Sequence, residues 1–408
     1  MARRGITGVI ALVISLVLSA CVPGRLTDTP LTPTQTLTPI PSSIPVPPAT
    51  PTQAPETIAL VNGILIDGTG SEPVQDAAVV IKGNQIVAVG PRNQIEIPNN
   101  TQIIDVQGGS ILPGLIDAHV HYAFSNADRW AHAGITTVRS LGESGWGSVC
   151  ERKDTEGNNA RIVSAGPLMT VPRGYPIWLF GSSAALAIDS PEAARRWATR
   201  LLGPGLCEDV IKVALEGEPQ LTDEELQAIV EVAHEQGTIV SAHVIYERDL
   251  DKALAAGVDD IAHMIRDTLS DEVIDQMIAR NVYFVPTLKI FSLLGLASLN
   301  DDNLQRFVAA GGEVAVGTDY NNPRFPEDMY LLEMEMMQDA GMTPMQVIIA
   351  ATKNGAHVCN LENEIGTLQS GKMADILVVA GNPLEDLKAL ADVRLVIHGG
   401  VVIRNELP

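Results

Sequence analysis

The sequence predicts an α/β fold in which a (β/α)8 TIM-type barrel is inserted into a small β-sandwich domain formed by both chain ends. Between residues 112 and 365, eight short apolar runs alternate with amphipathic stretches, as in a parallel sheet joined by crossover helices. Glycine-punctuated runs of strand type flank this region, Thr57 to Gly68 and Ala78 to Gly90 before it, Asp375 to Ala380 and Val393 to Ile403 after it. Polar residues able to bind metal recur at the C-terminal ends of the predicted barrel strands, the face on which such barrels carry function.

The chain has 408 residues and a formal net charge of -22, with 49 acidic against 27 basic residues. That balance argues against a nucleic-acid surface and for a self-repelling exterior. Arg3 and Arg4 precede the apolar run Ile6 to Leu18, which is too short to span a membrane but suits the core of a signal peptide. The run ends in Leu18-Ser19-Ala20-Cys21, which resembles a bacterial lipobox. The resemblance implies cleavage before Cys21, acylation of its thiol, and a catalytic body anchored in the cell envelope outside the cytoplasm. From residue 21 to 56 proline and threonine dominate without apolar period, so this stretch reads as an extended tether. Residues 57–111 with 366–408 then form the β domain and 112–365 the barrel. Cys150, Cys207 and Cys359 permit a disulfide in an exported protein, with one thiol left over.

The eight expected barrel strands are Leu115–His121, Thr136–Ser140, Arg161–Ala165, Asp209–Ala214, Ile239–His243, Asp260–His263, Val282–Thr287 and Glu313–Thr318. Helices are expected at Pro191–Leu202, at Asp223–Gln236 with Thr222 as N-cap and Gly237 as terminator, and at Asp249–Ala256 before another glycine. Strand one carries His119 and His121 one residue apart, so alternation sends both imidazoles to one side, as half of a zinc site requires. Lys212 lies in strand four, His243 and His263 end strands five and six, and Asp319 follows strand eight. Six such residues at one end of one barrel point to a metal centre, where any one alone would read as structural.

Leu112-Pro-Gly-Leu-Ile-Asp-Ala-His119-Val-His121, Val-Ile-Lys212-Val, Ser-Ala-His243, Ile-Ala-His263, Val-Gly-Thr-Asp319 and the return Gly366-Thr-Leu-Gln-Ser-Gly-Lys-Met-Ala-Asp375 together resemble the amidohydrolase superfamily. The likeness runs from Thr57 to Arg404 and is strongest to the branch of Xaa-Pro-type dipeptidases and imidazolonepropionase-like hydrolases. It implies two divalent metal ions, zinc for preference, bridged by Lys212 carried as a carbamate. One ion would take His119, His121, Lys212 and Asp319; the other would take Lys212, His243 and His263. The implied reaction is attack of a metal-bridging hydroxide on the amide of a small substrate such as a dipeptide or N-acyl amino acid, with Asp319 moving the proton.

Several positions depart from the branch. Arg173 stands about where many relatives carry a histidine that polarises the carbonyl, and with Tyr175, Tyr246 and Arg266 it is a candidate substrate contact. The segment from Thr287 to Glu313 is short, which predicts an open pocket. Alternatives are hydrolysis of a cyclic amide or imidazolone ring, or of a lactone or organophosphate. A single-metal deaminase is disfavoured by Lys212 and by Tyr246, which falls where deaminases need a glutamate. A non-catalytic binding lipoprotein is disfavoured by the complete ligand set. Self-association stays open.

Overall fold

The computed structural model describes residues 57–121, 123–143, 158–293, 301–320 and 329–408. The first strands, β1 (Thr57–Leu65), β2 (Val74–Lys82), β3 (Gln85–Pro91), β4 (Thr101–Asp105) and β5 (Ser110–Pro113), lead into the barrel. Barrel strands follow as β6 (Leu115–Val120), β7 (Ile135–Ser140), β8 (Arg161–Ser164), β9 (Met169–Thr170), β10 (Leu186–Ala187), β11 (Ile211–Leu215), β12 (Val240–Val244), β13 (Asp260–Ala262) and β14 (Tyr283–Val285). The chain returns to the first sheet through β15 (Ile376–Val379), β16 (Val393–His398) and β17 (Val401–Asn405).

The two chain ends share one sheet, ordered β17-β16-β15-β5-β1-β2-β3 with β4 beside β1. Period-two alternation divides its residues between two cores. Ile376 and Val378 of β15 join a cluster with Leu60, Val79, Ile81, Ile86, Leu395 and Ile397, while the intervening Leu377 and Val379 pack into the barrel's cluster. Residues from both halves of the strand order meet in that first cluster, so the sheet folds over itself as a sandwich. A bridge between Gln85 and Met373 and the bond from Ile86 N–H to Lys372 O hold its edges together.

In the barrel β6, β7 and β8 run parallel, as do β9, β11, β12, β13 and β14. Ser164 O accepts from Asp209 N–H just before β11, joining the two groups. The expected eighth strand is not a regular strand. Residues 313–320 instead form an extended segment making isolated bridges on both sides, Phe284 to Val314 and Val120 to Tyr320. Phe284 N–H donates to Glu313 O, Ala118 N–H to Val316 O, and Asp319 N–H to His119 O, so the segment closes the ring between β14 and β6. Within this segment Asp319 takes the left-handed conformation at φ 51°.

The helices lie where periodicity places them, with shifted ends. Thr222 and Glu225 form a reciprocal capping box at the start of Asp223–Glu235. Glu247–Ala256 begins two residues earlier than expected and stops at Gly257, φ 87°. Among the described residues no helix is long and apolar enough to cross a membrane.

Candidate metal centre

Strand β6 delivers His119 into the barrel, and His121, just past its end, is held by its N–H donating to Tyr320 O at 2.7 Å. The closing segment brings Asp319 to both: its Oδ1 lies 3.5 Å from His119 Nε2 and 3.0 Å from His121 Nε2. One ligand atom from each of the three lies within 4.8 Å of the others. Asp117 locks the arrangement, because its Oδ1 accepts from His119 N–H (3.2 Å) and Thr318 N–H (3.1 Å) and its Oδ2 from the Thr318 hydroxyl (2.7 Å). Close approach needs Gly317, where a Cβ would sit 2.5 Å from Val285 Cγ1 and 2.8 Å from His119 Cβ.

His243 on β12 and His263 just past β13 form the second group, their ring centroids 4.5 Å apart. His263 is left-handed at φ 79°; its Nδ1 is 3.0 Å from Thr287 Oγ1 and 3.8 Å from Asp319 Oδ2, and its ring is 4.9 Å from that of His119. Four imidazoles and Asp319 are therefore one cluster. His263, Thr287 and Asp319, all non-glycine residues at positive φ, show local strain gathered at the site. Lys212 on β11 is buried, and its Nζ donates to Ser241 Oγ of β12 at 3.3 Å.

Burial favours the uncharged forms here. It pushes the Lys212 ammonium down to about 7, with Arg139 acting in the same direction and Asp260 and Asp319 opposing. Burial, then the neighbouring cations and imidazoles, holds His119 and His263 well below the ordinary histidine range. At His121 burial also acts downward, but the hydrogen bond and charge of Asp319 outweigh it and raise the group. Asp117 is pushed up to about 7 by burial despite its three hydrogen bonds.

The donor set fits divalent metal ions. His121 Nδ1 bonds Gly142 O at 3.0 Å, which puts its proton there and turns the Nε2 lone pair toward a carboxylate oxygen 3.0 Å away. A proton on Nε2 satisfies that contact in the metal-free chain, and a metal ion held by both atoms would take its place. Among the described residues His119 Nδ1 is buried without a hydrogen-bond partner, while its Nε2 faces Asp319 as the ligand atom. Imidazole and carboxylate donors of this kind suit zinc and its neighbours.

The other expected contacts are dispersed. Tyr175 stacks on His243, with centroids 4.5 Å and planes 24° apart. Arg173, two residues earlier, is exposed and left-handed at φ 66°. Tyr246 and Arg266 pair with each other, Nη1 donating to the phenol oxygen at 3.4 Å. Cys21 and Cys150 lie outside the described residues; Cys207 is disulfide-bonded, and Cys359 is buried and free. Sequence reasoning missed Glu216, whose Oε2 lies 2.8 Å from His243 Nε2. The only signal was its place four residues after Lys212, at the end of β11, in a run that reads as a solvated turn.

The profile of the Amidohydrolase family matches residues 110–403. The chain is similar to ochratoxinase from Aspergillus niger, 26% identical, with 82% of this chain and 84% of the relative covered. It is also similar to imidazolonepropionase from Bdellovibrio bacteriovorus, 24% identical over 75% of this chain and 83% of the relative. Among solved structures, a Xaa-Pro dipeptidase with methionine bound in its active site superposes with a TM-score of 0.76 at 25% identity, covering 86% of this chain and all of that one.

Proposed function

The chain belongs to the amidohydrolase family, and from that premise we propose that it hydrolyses the amide bond of a dipeptide or N-acyl amino acid at two divalent metal ions, zinc for preference, bridged by a carbamate on Lys212. It is a metal-binding hydrolase of carbon–nitrogen bonds in small molecules. Lys212 carries the finer reading. A buried amine with a single hydrogen bond among the described residues, within electrostatic reach of His119, His121, His263 and Arg139, is costly to keep as an ammonium even with Asp260 and Asp319 opposing. Its neutral form adds to carbon dioxide, making an N–C bond and releasing a proton, and the product is an anion with two oxygens. Those oxygens would complete one ion's shell with His119, His121 and Asp319 and the other's with His243 and His263.

When bound, the ions supply acidified water and polarise the substrate carbonyl. Asp319 reaches both groups of imidazoles and is placed to accept the water's proton and hand it to the leaving nitrogen. Glu216 accepts from His243 Nε2, which leaves the lone pair on Nδ1 for coordination. The relatives, a Xaa-Pro dipeptidase among them, support the choice of substrate.

The test is metal content and hydrolysis of Xaa-Pro dipeptides and N-acyl amino acids, for wild type and Lys212→Ala with and without short-chain carboxylic acids. Two metals per chain, lost in the variant and restored by an acid, is the expected result. A second reading, single-metal ring opening or deamination, is favoured by the Glu216–His243 contact, since a carboxylate there can shuttle protons. One metal per chain with undiminished activity in Lys212→Ala would establish it and overturn the first.

Export with lipid anchoring at Cys21 is proposed alongside. The leader and tether composition support it, as does the disulfide at Cys207, a bond of oxidising compartments. Loss of fatty-acid labelling in Cys21→Ser is the expected outcome; labelling that persists would refute it.

A further inference from the structure

Five rings form an unbroken row through the metal centre: Trp178, Tyr175, His243, His263 and Phe291, with successive centroids 6.3, 4.5, 4.5 and 6.0 Å apart. Each spacing lies within the range of attractive aromatic pairs. The middle two are metal-site imidazoles. The outer rings belong to the segments that follow β9 and β14, each of which ends in a short helix, Ile177–Phe180 and Leu288–Leu293.

These two helices carry half of the large hydrophobic side chains exposed among the described residues. Trp178 is 61% exposed, Phe180 48% and Leu293 59%, while Val87, Ile103 and Val401 lie apart from them in the β domain. Both segments are fixed from beneath. Tyr175 and Ile177 pack against the buried cluster of Leu168, Ala185 and Ala214, and Glu333 accepts from the N–H groups of Leu288 and Lys289. A water-facing tryptophan one ring away from a tyrosine stacked on a metal-site imidazole is an apolar surface continuous with the reaction centre.

We infer that the substrate carries a flat aromatic group on one side of its scissile bond, which lies along Trp178 and Tyr175 while the bond itself sits at the imidazoles. The inference rests on the metal-hydrolase reading above and adds the class of group flanking the amide. Continuity with the centre favours a substrate over a bilayer or a second copy of the chain, either of which would cover the exposed rings without giving the site a ligand preference.

The test compares binding of methylphosphonate and benzylphosphonate to the metal-loaded full chain by calorimetry. The two share a tetrahedral anionic head and differ by one phenyl ring. Benzylphosphonate is expected to bind roughly tenfold tighter. Trp178→Ala should abolish that preference and leave methylphosphonate affinity and metal content unchanged, while Val401→Ala leaves both ligands unaffected. Equal binding of the two ligands by wild type, or a preference that survives Trp178→Ala, overturns the inference and leaves the hydrolase reading standing. Failure of methylphosphonate itself to bind would mean that no anion-accepting metal centre exists, and both would fall.

Discussion

Lys212 and Arg139 are basic side chains buried to the same degree, 1% and 0% exposed, on strands of the same barrel, and their hydrogen bonding is opposite. Arg139 spends its donors on fixed acceptors. Nη1 and Nη2 bond Asp260 Oδ2 and Oδ1 at 2.6 and 3.0 Å, Nε bonds Ala118 O at 2.7 Å, and Nη1 also bonds Val358 O. Arg139 is on the second barrel strand and Asp260 on the sixth, so the pair crosses the interior. Among the described residues Lys212 has one hydroxyl at 3.3 Å, and nearby His119 Nδ1 has no partner. A buried charge that is fully bonded holds two strands in place, whereas one left incomplete is held ready for something the chain does not contain.

The largest effect expected from this contrast is in the bonded pair. Arg139→Met strips the buried Asp260 carboxylate of both its guanidinium bonds, with only the more distant charge of Lys212 left to oppose it, and should cost about 3–5 kcal/mol in urea unfolding of the metal-free protein. The double variant Arg139→Met/Asp260→Leu should recover much of that loss. At the mouth the sign reverses: Lys212→Met should leave metal-free stability unchanged or raise it by about 1 kcal/mol, because it removes a cation the fold does not satisfy. Equal losses in both single variants would erase the distinction.

Two carboxylates give the contrast a pH signature, worth at most about 1.4 kcal/mol per pH unit for each group. Burial acts to raise Asp375, but Arg161 at 2.7 Å, His398 at 2.9 Å and the Gly399 N–H outweigh it and hold the group well below the usual carboxylate range. The folded protein takes up that proton later than the unfolded chain. Its contribution is therefore present at neutral pH and lost as pH falls below the unfolded value of about 4. Glu333, under the mouth, is pushed up to about 8 by burial in spite of its two backbone donors. The folded state there keeps a proton that the unfolded chain releases near about 4.5, so stability is lost as pH rises toward about 8. Unfolding midpoints of metal-free protein should fall on both limbs, with Asp375→Asn flattening the acid side and Glu333→Gln the alkaline side. An alkaline limb unchanged in Glu333→Gln would assign it to another group.

The same contrast explains what was legible in the sequence. Strand runs and the residues that end them follow local periods, so His119, His121, Lys212, His243 and Asp319 could be placed from spacing alone. The eighth run could be placed too, but its irregular pairing could not be read, because Gly317 and the left-handed Asp319 replace ladder pairing with isolated bridges that depend on both neighbours. Arg139 and Asp260 are 121 residues apart, and nothing local distinguishes them from solvated charges. Glu216 beside His243 and Tyr175 stacked over it are likewise products of closure. Local alternation decides which strand end a side chain occupies; its contacts there are decided by the other strands.

The smallest effect on stability should come with a large effect on ligand. Among the described residues Ser241 Oγ is the one hydrogen-bond partner of Lys212 Nζ, and it sits on the adjacent strand, at the register where Lys212 pairs with Ser241. Ser241→Ala removes a single bond of 3.3 Å, longer than a good N–H···O bond, so metal-free stability should change by less than about 1 kcal/mol. If Lys212 is carried as a carbamate, the same hydroxyl becomes the donor that orients it, and outer partners of this kind are worth about 10- to 100-fold in metal affinity. Isothermal titration of zinc into Ser241→Ala should show that loss, and Ser241→Thr, which keeps the hydroxyl, should restore most of it. A stability loss matching that of Arg139→Met, with zinc affinity untouched, would place Ser241 and Lys212 among the structural contacts and remove the distinction between mouth and interior.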